Sequence, residues 1–127
     1  MAIRKLALLG ILSSVIVAAP GVASAEEGIG TIYALRGEGT ASGEYARADG
    51  LTAAHKTLPF GTMVKVTNKR NGRTVVVKIT DRGPFGRGRI IDLTPAGAHA
   101  LDFYSAGITP VTLDVVGKSD IVVNQRR

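Results

Sequence analysis

The chain contains no cysteine. A thiol nucleophile is therefore excluded, and so is a disulfide scaffold, although the compartment argued for below would permit one. Anchoring by lipid on an N-terminal cysteine is not expected for the same reason. Histidine is scarce as well. His55 and His99 fall on different elements without ligand spacing, so no zinc site is expected, and no cofactor. No serine stands in a Gly-x-Ser-x-Gly setting, which removes the usual frame of a serine triad. Aromatic residues make up 5% of the chain, and they do not interleave the scattered basic residues as a stacking series, which argues against a nucleic-acid partner. The apolar run from Leu6 to Ala19 is shorter than the roughly 20 residues that a membrane span needs.

That run fits a different purpose. Arg4 and Lys5 precede it, Pro20-Gly21-Val22-Ala23-Ser24-Ala25 follows it, and the sequence turns acidic at Glu26-Glu27. A basic front, an apolar middle and a small-x-small end are the three parts of a secretory signal. Residues 1–25 are thus expected to form an apolar signal helix, cut after Ala25. Removing them from 127 residues leaves 102, which suits one domain over 26–127 with a core at about 29–117. Losing Arg4 and Lys5 takes the net charge from +6 to +4. A moderately basic protein outside the membrane favours anionic polymers or headgroups. The expectation is a periplasmic or secreted protein, soluble, monomeric and without a stable membrane anchor.

The mature chain is rich in glycine and in short β-branched runs, the pattern of strands joined by tight turns. Strands are expected at Ile29–Leu35, Thr62–Thr67, Thr74–Thr80, Ile90–Leu93 and Ile108–Val116. Asn71-Gly72 reads as a hairpin turn, because both residues tolerate positive φ. Val75, Val77 and Ile79 should share one face. Thr94-Pro95 reads as a helix start, with Thr as N-cap and Pro at the first helical position, and the helix should run to about Phe103 with Ala98, Ala100 and Leu101 near the core. Leu51-Thr52, Phe60-Gly61 and the strand after them echo Leu93-Thr94, Ala106-Gly107 and the last strand, as a two-fold pseudo-symmetric barrel would.

With thiol and metal chemistry set aside, the candidates are carboxylates near a histidine: Glu44, Asp81 and Asp92 with His55. Asp81 closes an apolar strand before Arg82-Gly83-Pro84-Phe85. Beside an apolar wall it would be raised by desolvation, as a general acid needs; as an ordinary turn residue it would cap Gly-Pro. Glu44 follows a glycine loop and is otherwise a solvated carboxylate. His55 lies in an apolar stretch, where a core histidine with satisfied hydrogen bonds is the alternative. Asp92 lies between Ile91 and Leu93 and must be paired if buried, with Arg89 or a backbone amide as the favoured partner. Arg82, Arg87 and Arg89 form a local basic cluster suited to an anionic group.

Several blocks together resemble the rare lipoprotein A family. They are Thr40-Ala41-Ser42-Gly43-Glu44, then Leu51-Thr52-Ala53-Ala54-His55-Lys56-Thr57-Leu58-Pro59-Phe60-Gly61-Thr62, then Val66-Thr67-Asn68 with Asn71-Gly72-Arg73, then Asp81-Arg82-Gly83-Pro84-Phe85, and finally Arg89-Ile90-Ile91-Asp92-Leu93-Thr94. They occur in family order over roughly residues 30–116. The resemblance implies a mainly β, six-stranded double-psi β-barrel with one short helix, a fold shared with expansins and barwin-like endoglucanases. It also implies a peptidoglycan lytic transglycosylase without cofactor, acting on glycan strands in wall remodelling or daughter-cell separation, with possible cell-division or wall-remodelling partners. In that family Asp81 matches the catalytic aspartate, and Glu44 and His55 match the other two positions. Arg82, Arg89, Thr52 and Asp92 are the expected substrate contacts. Two features depart from the pattern: the lipidated cysteine and the C-terminal peptidoglycan-binding repeat common in the family are absent, and Thr31–Gly39 replaces an Ala-Ser-Trp-Tyr-Gly-like stretch.

The mechanism so implied has Asp81 protonate the bond between N-acetylmuramic acid and N-acetylglucosamine, then accept the muramic 6-hydroxyl proton as a 1,6-anhydro ring closes. Glu44 and His55 would orient the sugar or tune Asp81. The alternative is a non-catalytic wall-binding or wall-loosening module of expansin type, since a shared fold does not fix function.

Overall fold

The computed structural model describes residues 25–33 and 39–118. The expected signal segment, apart from Ala25, lies outside the described residues, as do 34–38 within the altered Thr31–Gly39 stretch. Six strands, β1 (Glu26–Ile32), β2 (Thr52–Ala54), β3 (Thr62–Asn68), β4 (Thr74–Asp81), β5 (Arg89–Leu93) and β6 (Ile108–Lys118), and one helix, α1 (Pro95–Ala100), make up the fold. The strands close into a barrel in the order β1-β5-β2-β4-β3-β6.

Alternation along β3 and β4 builds one wall. Val64 and Val66 of β3 stand opposite Val77 and Val75 of β4. Val64, Val66, Val77 and Ile79 are fully buried and meet Ile91, Leu93, Val111 and Leu113 from the other strands. Burying side chains of this size contributes about 1.5–3 kcal/mol each, which is what holds so small a barrel closed. The β3–β4 turn is longer than the expected two-residue hairpin. Asn68 N–H donates to Arg73 O at 2.8 Å and Gly72 N–H to Asn68 O at 2.8 Å. Only Gly72 has positive φ, at 78°. The Asn71 side chain instead reaches across to accept from Arg73 N–H and to donate to Leu101 O.

β1 begins at Glu26, three residues before the expected start, and ends at Ile32 rather than Leu35. Its early residues are held by β6, where Glu26 faces Leu113 and Gly28 faces Val111. On the other side β1 runs parallel to β5. This approach requires glycine: a Cβ on Gly28 would fall 2.6 Å from Ile90 Cγ2 and 3.0 Å from Gly88 O. β6 likewise extends to Lys118, two residues past the expected Val116.

Thr94 caps α1 as its sequence predicts, accepting from Gly97 N–H at 3.2 Å, with Pro95 in the first turn. The helix stops at Ala100, short of Phe103, and Asp102 turns the chain out at φ 56°. Ala98 and Leu101 are buried, whereas Ala100 is exposed, contrary to expectation. The segment after the helix closes on the barrel through Asn68, whose Nδ2 donates to Leu101 O and whose Oδ1 accepts from Thr109 Oγ1, both at 2.8 Å.

The ladder has two-fold pseudo-symmetry. Exchanging β1, β2, β3 with β4, β5, β6 reproduces the strand order, carrying the parallel β1–β5 pair onto β4–β2 and the antiparallel β1–β6 pair onto β4–β3. The sequence echo is only partly in register with it, because Thr52 opens β2 while Leu93 closes β5.

Candidate active site

β2 is three residues long, and it sets the site. Ala54 is the register partner of Asp81 on its β4 side and of Asp92 on its β5 side. The last residue of β4 and the fourth of β5 are thereby brought to the same end of the barrel, flanking one small side chain. A register shift between Ala53 and Ala54 follows Ile79, which keeps Ile79 in the core and turns Asp81 out of it. The two aspartates, eleven positions apart in sequence, form the carboxylate pair of the site.

Their surroundings differ. Asp81 Oδ1 accepts two backbone N–H groups, from Arg82 at 2.9 Å and from Ala41 at 3.0 Å. The second donor lies on the Thr40–Glu44 loop, which Ser42 N–H also ties to Thr80 O. Asp81 Oδ2 has no protein partner among the described residues. Asp92 Oδ1 accepts from the Thr31 hydroxyl at 2.7 Å. Thr31 lies opposite Asp92 in the β1–β5 register and is itself buried. Burial pushes the Asp92 carboxyl above its ordinary value. The Thr31 hydrogen bond and the Arg89 charge oppose that rise, and the negative charge of Asp81 adds to it. A carboxyl whose acid form is favoured by burial, set next to a second carboxyl, is an arrangement from which acid–base chemistry can be made.

The expected partner of Asp92 is corrected by this geometry. Its hydrogen bond comes from Thr31, 61 positions away, and Arg89 acts on it only through charge. Arg89 and Arg87 are exposed. Arg82 is the ordered member of the basic cluster. Its Nη1 donates to Leu58 O at 2.8 Å and to His55 O at 3.2 Å, and its Cζ sits 4.1 Å above the Phe60 ring centroid. A guanidinium stacked on an aromatic face gains a cation–π attraction while its remaining N–H groups stay available. Phe60, partly exposed, joins the site through this stacking, which no local sequence pattern marks. Phe85, in the Asp81 block, is 83% exposed, and the edge of its ring packs on Gly83.

The other two expected catalytic positions lie apart from the carboxylate pair. Glu44 Oε1 accepts from Lys78 Nζ at 2.9 Å, and the Glu44 side chain is half exposed. Among the described residues no hydrogen bond links the Glu44 side chain to Asp81; the loop reaches Asp81 through the Ala41 amide instead. His55 is 5% exposed. Its Nε2 meets Glu26 Oε1 at 2.8 Å, and its Nδ1 accepts the N–H groups of Thr57 and Leu58, each at 3.1 Å. Its own N–H donates to Asp81 O at 3.1 Å. Thr52 lies on the same face of β2 as Ala54, two residues from the carboxylates, with its carbonyl accepting from Thr94 N–H. Among the described residues no helix is long and apolar enough to cross a membrane.

A family model described as "Lytic transglycolase" matches residues 25–113. A probable endolytic peptidoglycan transglycosylase RlpA of Nostoc sp. is 50% identical over 97 residues, covering 72% of this chain and 26% of that protein. The endolytic peptidoglycan transglycosylase RlpA of Campylobacter jejuni is 45% identical over 98 residues, covering 76% of this chain and 36% of that one. The chain thus spans about a quarter to a third of the length of these curated relatives. Among solved structures, a Streptomyces papain inhibitor superposes with a TM-score of 0.60 at 26% identity, covering 75% of this chain and 96% of the inhibitor. An expansin of Clavibacter michiganensis superposes with a TM-score of 0.60 at 26% identity, covering 73% of this chain and 50% of the expansin.

Proposed function

This chain belongs to the lytic transglycolase family, a double-psi β-barrel lineage, and from that premise we propose that it cleaves peptidoglycan between N-acetylmuramic acid and N-acetylglucosamine, leaving 1,6-anhydro-muramic ends. The observation that carries the reading is the Asp81–Asp92 pair at one end of the barrel, one member raised by burial and the other held open by backbone amides. The division of labour differs from the expectation that Asp81 does both steps. Asp92, in the protonated form that its burial favours, donates to the glycosidic oxygen as the C1–O bond breaks. Asp81 accepts the proton of the muramic 6-hydroxyl through Oδ2 as that oxygen bonds to C1. The proton lost by Asp92 is restored from solvent, and the one gained by Asp81 returns to it, so atoms and charge balance without a water being consumed. No second-face water is needed, which removes the spacing demanded of hydrolytic carboxylate pairs.

The positive rim fits the substrate. Arg82, stacked on Phe60, and the exposed Arg89 would meet the lactyl carboxylate of muramic acid or acidic stem peptides, and Phe60 and Phe85 offer apolar faces to pyranose rings. Export through residues 1–25, removal of that segment after Ala25, and a periplasmic or secreted location are part of the same reading. A test is the digestion of purified peptidoglycan followed by mass spectrometry. Anhydro-muropeptides should appear with the native protein and be lost with Asp81→Asn and with Asp92→Asn. Their formation by either variant at the native rate would refute the assignment of that residue.

A second reading has one observation behind it. A mutant of the Clavibacter michiganensis expansin, solved in complex with cellohexaose, superposes with a TM-score of 0.58 at 25% identity. A barrel that binds or loosens wall glycan without cutting it would then retain peptidoglycan in pull-down assays and release no soluble fragments.

A further inference from the structure

We propose that His55 is a positioning residue, and that its imidazole exchanges no proton with the substrate: it folds the 55–58 loop so that two carbonyls hold the Arg82 guanidinium over the Phe60 ring. The inference rests on the glycan-cleaving reading above, and it concerns how that site is assembled.

Both ring nitrogens of His55 are committed inside the protein. Nδ1 accepts from Thr57 N–H and Leu58 N–H, each at 3.1 Å. A nitrogen that accepts carries no proton, so the ring proton is on Nε2. Nε2–H then donates to Glu26 Oε1 at 2.8 Å. To act as a base, the ring would take a proton at Nδ1 and strip two amides of their acceptor. To act as an acid, it would release the proton that faces the Glu26 carboxylate. The residue is 5% exposed, so neither nitrogen is open to a sugar.

What the ring does instead is local. An acceptor at residue 55 that takes the amides two and three positions on is the geometry of a helix N-cap, used here to tighten a loop. Closing the segment in this way turns the carbonyls of His55 and Leu58 to the same atom, Arg82 Nη1, at 3.2 and 2.8 Å. It also sets Phe60 under the guanidinium at 4.1 Å. The His55 N–H bond to Asp81 O fixes the loop to the end of β4. The chain of contacts therefore runs from Glu26 through the ring and loop to Arg82, the residue after the catalytic aspartate. The charged residues in contact with this assembly include Glu26 at Nε2, Arg82 at the loop carbonyls and Asp81, whose backbone carbonyl accepts from His55 N–H, and the loop itself carries Lys56.

The substitution that separates the two roles is His55→Asn. Asparagine supplies a short oxygen that can take the Thr57 and Leu58 amides, and it cannot titrate. In His55→Ala the amides have no acceptor. With purified protein and peptidoglycan, His55→Ala should lose roughly tenfold or more in the rate of anhydro-muropeptide release, since ångström-scale misplacement of an orienting group costs up to about 10²-fold. His55→Asn should recover most of that rate and keep the native pH–rate profile. Hydrogen exchange gives a readout independent of activity: the Thr57 and Leu58 amides should be protected in the native protein and in His55→Asn, and exposed in His55→Ala. A folded His55→Asn that protects both amides yet is as slow as His55→Ala, or that loses one limb of the pH profile, would overturn the proposal. So would a fully active His55→Ala, or a His55→Asn chain that does not fold. If the native protein itself releases no anhydro product, the glycan-cleaving reading fails, and the exchange pattern still decides whether His55 organises the loop.

Discussion

Replacing Thr31 by Val keeps the shape of the side chain and removes one hydroxyl. In the folded protein that hydroxyl donates to Asp92 Oδ1 at 2.7 Å from a position 9% exposed. The lost bond has a charged acceptor when Asp92 is ionised and a neutral one when it is protonated. Hydrogen bonds to charged groups contribute about 1.5–3 kcal/mol and neutral ones about 0.5–1.5 kcal/mol. Thr31→Val should therefore destabilise the protein by roughly 2 kcal/mol at pH 8, where Asp92 is ionised, and by roughly 1 kcal/mol at pH 3.5, where it is not. For a domain of about 100 residues each kcal/mol moves Tm by about 4–8 °C, so the difference between the two pH values is measurable by scanning calorimetry. The sign follows from the titration. Burial has already raised Asp92 in the folded state, and the Thr31 hydrogen bond opposes that rise. Without the hydroxyl the folded-state value rises further while the unfolded value stays, so the folded protein loses more stability as pH climbs from the unfolded toward the folded value. An acid that holds its proton to higher pH should also carry the alkaline limb of the pH–rate profile upward. Equal destabilisation at both pH values, with the alkaline limb unmoved, would refute the link between Thr31 and the protonation of Asp92.

Three further outcomes follow from the same geometry. Asp92→Asn should raise Tm near pH 7 relative to the native protein and lose that advantage at pH 3.5, because a carboxyl raised by burial opposes folding only once it ionises; thermal unfolding at both pH values checks it. Asn68→Ala, which takes away the acceptor of the buried Thr109 hydroxyl and leaves the Leu101 carbonyl only its bond from Asn71, should cost roughly 1–3 kcal/mol in urea unfolding, since a buried group left unpaired costs about that much. Lys78→Ala, by contrast, breaks a half-exposed pair with Glu44 and should change stability by less than about 1 kcal/mol in the same assay.

Sequence patterning made the walls of the barrel legible. The alternation of Val75, Val77 and Ile79, the Thr94-Pro95 helix start and the end of β4 at Asp81 all depend on neighbours in the chain, and local patterning reports them. The parts that were not legible depend on pairing across long separations. Glu26 reads as the acidic flank of a signal segment; it becomes the partner of His55, 29 positions away, because β6 holds the start of β1 in the sheet. Thr31 reads as one β-branched residue of a strand, and only the parallel β1–β5 register sets it on Asp92. Arg82 was legible as a cation, but its seat on Phe60 requires the 55–58 loop to fold back over the end of β4. The family resemblance joins Glu44, His55 and Asp81, whereas the folded chain groups Asp81 with Asp92 and commits Glu44 to Lys78.

Cutting of glycan by Asp81 and Asp92 through internal transfer, with the muramic 6-hydroxyl as the nucleophile, leaves a product that water has not entered. Digesting peptidoglycan in oxygen-18 water and analysing the new ends by mass spectrometry tests this most directly. The new ends should be 1,6-anhydro ends without heavy oxygen, formed by the native protein and not by Asp92→Asn. Reducing ends that carry oxygen-18, or glycan that is bound and left uncut, would contradict it.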